Sequence, residues 1–166
     1  QDIGQRVELQ TMANTDGLTG LFNERYFSST LRSREGSKKP FTLFYLDLDR
    51  FKPVNDTYGH DMGDKLLKAV AGRLLDCVRG TDFAFRIGGD EFALVLDGML
   101  SEKLCQEMLG RISAAIRRPF EIDGEEIDVG TSCGWAVYPR EGSTEEVRIL
   151  ADRRMYECKE GNHADR

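Results

Sequence analysis

The sequence predicts an α/β domain of the α+β kind, with helices wrapped around a central mixed β-sheet. Three observations predict it. Residues 41–48 form a nearly continuous apolar run of strand length, the pattern of a strand buried on both faces. Two more apolar runs, residues 81–87 and 92–96, flank Gly88-Gly89-Asp90-Glu91 and read as a β-hairpin. Both central turn positions are expected to take φ > 0, which glycine adopts with least strain. Between and after these runs come segments with apolar residues at helical spacing. The order after the first helix is then β, α, β, β, α, β, β, β, α. At 166 residues the chain has the length of one domain with a sizeable core.

Composition narrows the function classes. A net charge of −6 argues against a sequence-independent grip on a nucleic-acid polymer, which needs a basic face. It leaves a nucleotide open, because a metal ion can screen the phosphates. Cys77, Cys105, Cys133 and Cys158 are widely spaced with no CxxC pair. They read as reduced thiols of a cytosolic protein rather than a disulfide frame or a zinc site. No run of roughly 18 apolar residues is present, so no membrane span is expected, and no signal peptide is seen. The expected location is cytoplasmic, either alone or as the cytoplasmic part of a larger sensor or membrane protein.

Residues 1–14, with Ile3, Val7, Leu9 and Met12 apolar, read as the end of a linker helix, and the domain proper as residues 15–166. Residues 15–20 form a turn. Asn23 is placed to cap a helix running to about Arg34, with Tyr26, Phe27 and Leu31 on one face. The strand from Phe41 is expected to end near Leu48. Asp49 would then cap the following turn and leave Asp47 facing a cleft. If the strand instead ran through both, the two acids would share a face. Phe51 opens a short turn or helix start. After a loop at residues 59–64, Asp64 is expected to cap a helix carrying Leu66, Leu67, Val70, Ala71, Leu74, Leu75 and Val78. Ser101 is a cap signal for a helix with Leu104, Met108, Ile112 and Ile116, which Pro119 stops. Residues 120–129 read as a small hairpin turning at Asp123-Gly124, residues 131–138 as a strand and residues 145–159 as the last helix.

The chemistry-bearing residues cluster in this scheme. If their strands are neighbours, Asp47 converges with Asp90 and Glu91. Clustered hard oxygens suit Mg²⁺ or Mn²⁺ beside a phosphorylated substrate, whereas singly these are strand-end acids in solvent. Lys52 lies where it can reach a phosphate, although an isolated surface Lys is simply solvated. Asn55, His60 and Asp64 share a Gly-punctuated segment. Asn55 and Asp64 have the donors and acceptors to read a base edge, or can serve as turn formers and caps. Arg79 and Asp82, three apart, read as a local salt bridge or as a grip on a guanine edge and a phosphate.

These stretches together resemble the GGDEF domains, the diguanylate cyclases. Gly88-Gly89-Asp90-Glu91-Phe92 is similar to the family signature. Residues 16–23 resemble its DxLTGLxN segment, and residues 46–56 its LDxDxFKxxND segment. Residues 59–64 resemble GHxxGD, and Ala151-Asp152 through Lys159 the closing AD…lYxaK helix. The resemblance covers roughly residues 14–162 and keeps the motifs in order.

The resemblance implies a fold like nucleotidyl-cyclase and polymerase palm domains. It implies a reaction that joins two GTP into cyclic di-GMP with release of two pyrophosphates. Each subunit of a homodimer would hold one GTP. Asp47, the Leu48 carbonyl and Asp90 would bind Mg²⁺ or Mn²⁺, with Glu91 supporting the metal and Asp90 the candidate base. Lys52 and Lys159 would hold the β- and γ-phosphates, helped by backbone N–H groups near Arg50 and Phe51. Gly88 and Gly89 would leave room for the nucleotide. Asn55 and Asp64 would bind guanine, with His60 lining the pocket. Arg79 and Asp82 match the family's inhibitory RxxD site, which implies product feedback. Arg86 would serve that site or the reacting phosphates, and Arg111 is a candidate second arginine. The alternative is a non-catalytic receptor for GTP or cyclic di-GMP. The closing segment departs from the family: KxxGRN is replaced by Lys159-Glu160-Gly161-Asn162-His163, without the phosphate-contacting arginine. Weaker triphosphate binding is the expectation, with Arg166 a substitute. Glu24 stands where the family often has Arg.

Overall fold

The computed structural model describes residues 13–164. Most of the expected linker helix, and Arg166, therefore lie outside the described residues. The elements are α1 (Glu24–Ser37), β1 (Phe41–Asp49), α2 (Phe51–Tyr58), α3 (His60–Cys77), β2 (Phe83–Gly88), β3 (Glu91–Asp97), α4 (Glu102–Arg117), β4 (Phe120–Ile122), β5 (Glu125–Ile127), β6 (Gly130–Tyr138) and α5 (Thr144–Ala164). The main sheet has the order β2-β3-β1-β6, and β4-β5 form a separate hairpin. This is a β-α-β-β-α-β arrangement carrying extra elements.

The ladders of the main sheet are all antiparallel, where a mixed sheet was expected. The physical reason lies in the insertion of strands. β1 and β2 run the same way across their helical connection, but β3 folds back and lies between them. β6 likewise runs with β3 but pairs with β1 on its other side. Among the described residues, the parallel pairing is the isolated bridge between Phe22 and Phe85.

Each face of β1 builds one half of the core. Phe44, Leu46 and Leu48 pack with Leu66, Val70 and Leu74 of α3 and Met108 and Ile112 of α4. Phe41, Leu43 and Tyr45 pack with Phe27 and Leu31 of α1 and Val147, Ala151 and Met155 of α5. Gly134 in β6 is what lets α5 lie so close. A Cβ there would strike the backbone of Ala151 and Met155.

Several local expectations change. β1 runs through Asp49 rather than stopping at Leu48. The turn to α2 is made by Arg50 in the left-handed region (φ 65°) with no side-chain cap. Asp64 is not a cap: α3 already begins at His60, with Gly59 before it. In the GGDE turn Gly88 ends β2 and pairs with Glu91, so the corner residues are Gly89 and Asp90. Of the four, only Gly89 takes positive φ (48°). Asn23 and Ser101 do cap their helices, accepting from Tyr26 N at 3.0 Å and Leu104 N at 3.2 Å. Asp123 and Gly124 both take positive φ at the β4-β5 turn (52° and 80°). The four cysteines are free thiols. Among the described residues no helix is long and apolar enough to cross a membrane.

Candidate active site

The acids come together because two apolar rows turn polar at the same end of the sheet. On β1 the row Phe41, Leu43, Tyr45 continues as Asp47 and Asp49. On α5 the buried stripe Val147, Ala151, Met155 continues at helical spacing as Lys159 and Asn162. The rows face each other, so the polar ends meet.

Asp47 stands directly across from Glu91 in the β1-β3 ladder. The hairpin corner is tied to the end of β1 by Leu48 N, which donates to Asp90 O at 3.2 Å. Lys159 Nζ donates to Asp47 Oδ2 at 3.0 Å and to Leu48 O at 3.3 Å. It lies 3.9 Å from Asp49 Oδ1. The other oxygen, Asp47 Oδ1, is buried with no hydrogen-bond partner. Burial, and then the Asp47 carboxylate beside it, push the Asp90 carboxyl from 3.8 up to about 6. Burial and Asp47 raise Glu91 as well, against the hydrogen bond it accepts from Tyr45 Oη at 3.3 Å. Among the described residues no three His, Cys, Asp or Glu side chains already form a metal-holding group.

Asp49 was not among the expected site residues. It is 3% exposed and accepts from Ser132 Oγ at 2.7 Å and Asn162 Nδ2 at 3.1 Å. Tyr45, Ser132 and Asn162 were also missed. The row on β1 could have pointed to Tyr45, and the stripe on α5 to Asn162. Nothing local marks Ser132, which meets Asp49 only through the β1-β6 pairing.

The remaining expected residues lie on the hairpin corner and on α2 and α3. Gly88 and Gly89 are exposed with open space where a Cβ would be, so a ligand can approach the backbone there. Phe51 and Lys52 open α2, with Lys52 exposed. Asn55 packs its side chain over Gly63, where a Cβ would collide with it. His60 and Asp64 are exposed on the first turns of α3.

Arg86 does not join Arg79 and Asp82. It donates from Nε to Gly89 O at 3.0 Å and pairs with Asp16 at 3.1 Å, fastening the hairpin corner to the turn before α1. Arg79 and Asp82 precede the opposite end of β2, a strand of six residues, so about 15–20 Å of chain intervenes. The expected Arg79–Asp82 salt bridge is replaced by backbone bonds. Asp82 accepts from Arg79 N at 2.9 Å and from Asp97 N at 3.1 Å. Arg79 and Asp82 line a cavity of about 670 Å³, floored by Leu96, Leu100 and Met108, with Arg111 of the same chain on its wall.

Known proteins share this architecture. The family model described as "Diguanylate cyclase, GGDEF domain" matches residues 13–164. Diguanylate cyclase DgcN of Escherichia coli K12 is 36% identical over 159 residues, covering 93% of this chain and 39% of its own length. Cyclic di-GMP phosphodiesterase PdeR of the same organism is 39% identical over 156 residues, covering 92% of this chain and 23% of its own length. The chain thus spans well under half of these curated relatives. The crystal structure of the coiled coil and GGDEF domain of DgcB from Caulobacter crescentus, in complex with c-di-GMP, is similar with a TM-score of 0.84 and 28% identity. It covers 95% of this chain and 86% of that one. With the ordered motifs, the antiparallel sheet and the hairpin acids in agreement, the chain belongs to the GGDEF domain family.

Proposed function

We propose that this chain is the catalytic module of a diguanylate cyclase, which condenses two GTP into cyclic di-GMP and releases two pyrophosphates. The observation that carries this reading is the Asp47 carboxylate standing beside Asp90, with an ammonium already on Asp47 and the Leu48 carbonyl. The donor set fits a hard divalent cation. It is all oxygen, it includes the unpartnered Asp47 Oδ1, and a positive charge is already accommodated there. Asp47, the Leu48 carbonyl and Asp90 would hold Mg²⁺ or Mn²⁺, with Glu91 behind them. When bound, the ion would neutralise charge on the reacting phosphates.

The chain's own residues do the rest. Asp90, raised toward neutrality by burial and by Asp47, is suited to take the proton of the attacking 3′-hydroxyl. Lys52 and Lys159 have the charge and reach to hold the β- and γ-phosphates. Asn55 and Asp64 offer guanine an amide and a carboxylate, and the carboxylate complements the N1–H and N2–H₂ donors that adenine lacks. His60 borders the same place. One module holds one GTP, so the reaction needs a second copy facing it. The cavity carrying Arg79, Asp82 and Arg111 suits a guanine-bearing diester and would give product inhibition.

The test is a turnover assay with GTP and Mg²⁺, the product identified by mass, with and without added cyclic di-GMP. Cyclic di-GMP formation is expected, inhibited by added product and lost in Asp90→Ala. Dimeric, metal-loaded protein that leaves GTP intact would remove the reading. Nucleotide binding without turnover would favour a receptor.

A further inference from the structure

We propose that Lys159 is the site's resident cation: its ammonium holds the place of the divalent metal until a nucleotide draws it away. The inference rests on the reading that Asp47 and the Leu48 carbonyl are metal ligands. Those are the two groups that Nζ touches, at 3.0 and 3.3 Å. A Mg²⁺ ion held by the Leu48 carbonyl and the Asp47 carboxylate would sit about 2.0–2.1 Å from its ligand oxygens, so even if it used the free Asp47 Oδ1 it would share the Leu48 oxygen and the Asp47 carboxylate with the ammonium and compete with it. Two cations that close would repel, and the single Asp47 carboxylate they share cannot offset both charges.

The contact is built into the fold. Lys159 belongs to the stripe that buries α5, and Asn162, one turn on, donates to Asp49 and to Ser132 Oγ, both at 3.1 Å. This clasp fixes the end of the helix, so the ammonium leaves by rotation of its own four-carbon stem, not by movement of α5. While in place it offsets the repulsion between Asp47, Asp90 and Glu91. It also penalises metal binding to the empty protein. A triphosphate offers the ammonium another anionic partner, so nucleotide and metal promote each other's binding, by the same factor in each direction.

The test is direct titration with Mn²⁺ alone, followed by electron paramagnetic resonance in the absence of nucleotide. Lys159→Met is expected to bind Mn²⁺ about tenfold more tightly than the natural chain, a usual size for coupling between sites. Lys159→Gln should tighten binding as well, because it also lacks the charge. Arg153→Met removes an exposed charge from the same helix and should change the affinity less than about twofold, as expected for a screened surface charge. The proposal is overturned if the Lys159 variants bind Mn²⁺ no more tightly than the natural chain. Equal tightening in Arg153→Met, or no Mn²⁺ binding by any of the proteins, overturns it too. Tightening in a protein that makes no cyclic di-GMP would keep this inference and remove the cyclase reading. Product formation with unchanged Mn²⁺ affinity would do the reverse.

Discussion

Asp16 shows how a residue outside the signature holds the signature in place. Burial alone would raise its carboxyl. Hydrogen bonds from Thr19 Oγ1 at 2.7 Å and Thr19 N at 2.9 Å, and the Arg86 guanidinium, outweigh burial and hold it below the usual range. A carboxyl lowered in the fold contributes stability above its unfolded value, near 4. That contribution is lost as pH falls through the folded value. Asp16→Asn should therefore cost about 1–2 kcal/mol at pH 7, the scale of a partly buried charged hydrogen bond. The deficit should shrink below about pH 4. Urea midpoints of both proteins at pH 7 and pH 3.5 check this, and an equal deficit at both would show that the charge is not the cause. The sequence marked Asp16 as part of a turn motif. Its link to Arg86 spans 70 positions and follows from the hairpin's docking, which no local pattern records.

At the scale of elements, α5 lies close on β6 and carries polar residues to the acids. Gly134 permits that approach, and the same helix delivers Lys159 and Asn162. Gly134→Ala should destabilise the domain by about 1–3 kcal/mol through overpacking against backbone that cannot rotate aside. It should also lower GTP turnover at temperatures where the variant stays folded, because the ammonium moves with the helix. Thermal unfolding and turnover measured together test this. Unchanged stability would mean that the helix can shift without cost. The caps Asn23 and Ser101 were legible because a cap is a local event. Asp64 was misread because α3 starts at His60, where no capping side chain marks the boundary.

For the whole molecule, the expected consequence is dependence on a second copy. On the proposed reading one domain would hold one cation and one nucleotide, so specific activity should fall as the protein is diluted through its dimer dissociation range. Turnover per subunit from micromolar to nanomolar protein, beside sedimentation of the same samples, checks this. Flat activity across dissociation would contradict the two-copy reaction. The cavity at the far end of β2 is separate from the acids, so Arg79→Ala is expected to relieve product inhibition while leaving initial turnover within about twofold.

Periodicity, caps and ordered motifs determined the elements, their order and the family from sequence alone, because each is written within a few residues of chain. Two things were decided only in three dimensions. The hairpin inserts β3 between β1 and β2, making every ladder of the main sheet antiparallel, because strand order depends on which edges are free to pair. The acids found their partners across the sheet: Asp49 with Ser132 and Asn162, Glu91 with Tyr45, and Asp47 with Lys159, 112 positions away. Those pairings follow from burial. A carboxylate taken out of water must meet a donor, and which donor it meets is set by how β1 and α5 pack together.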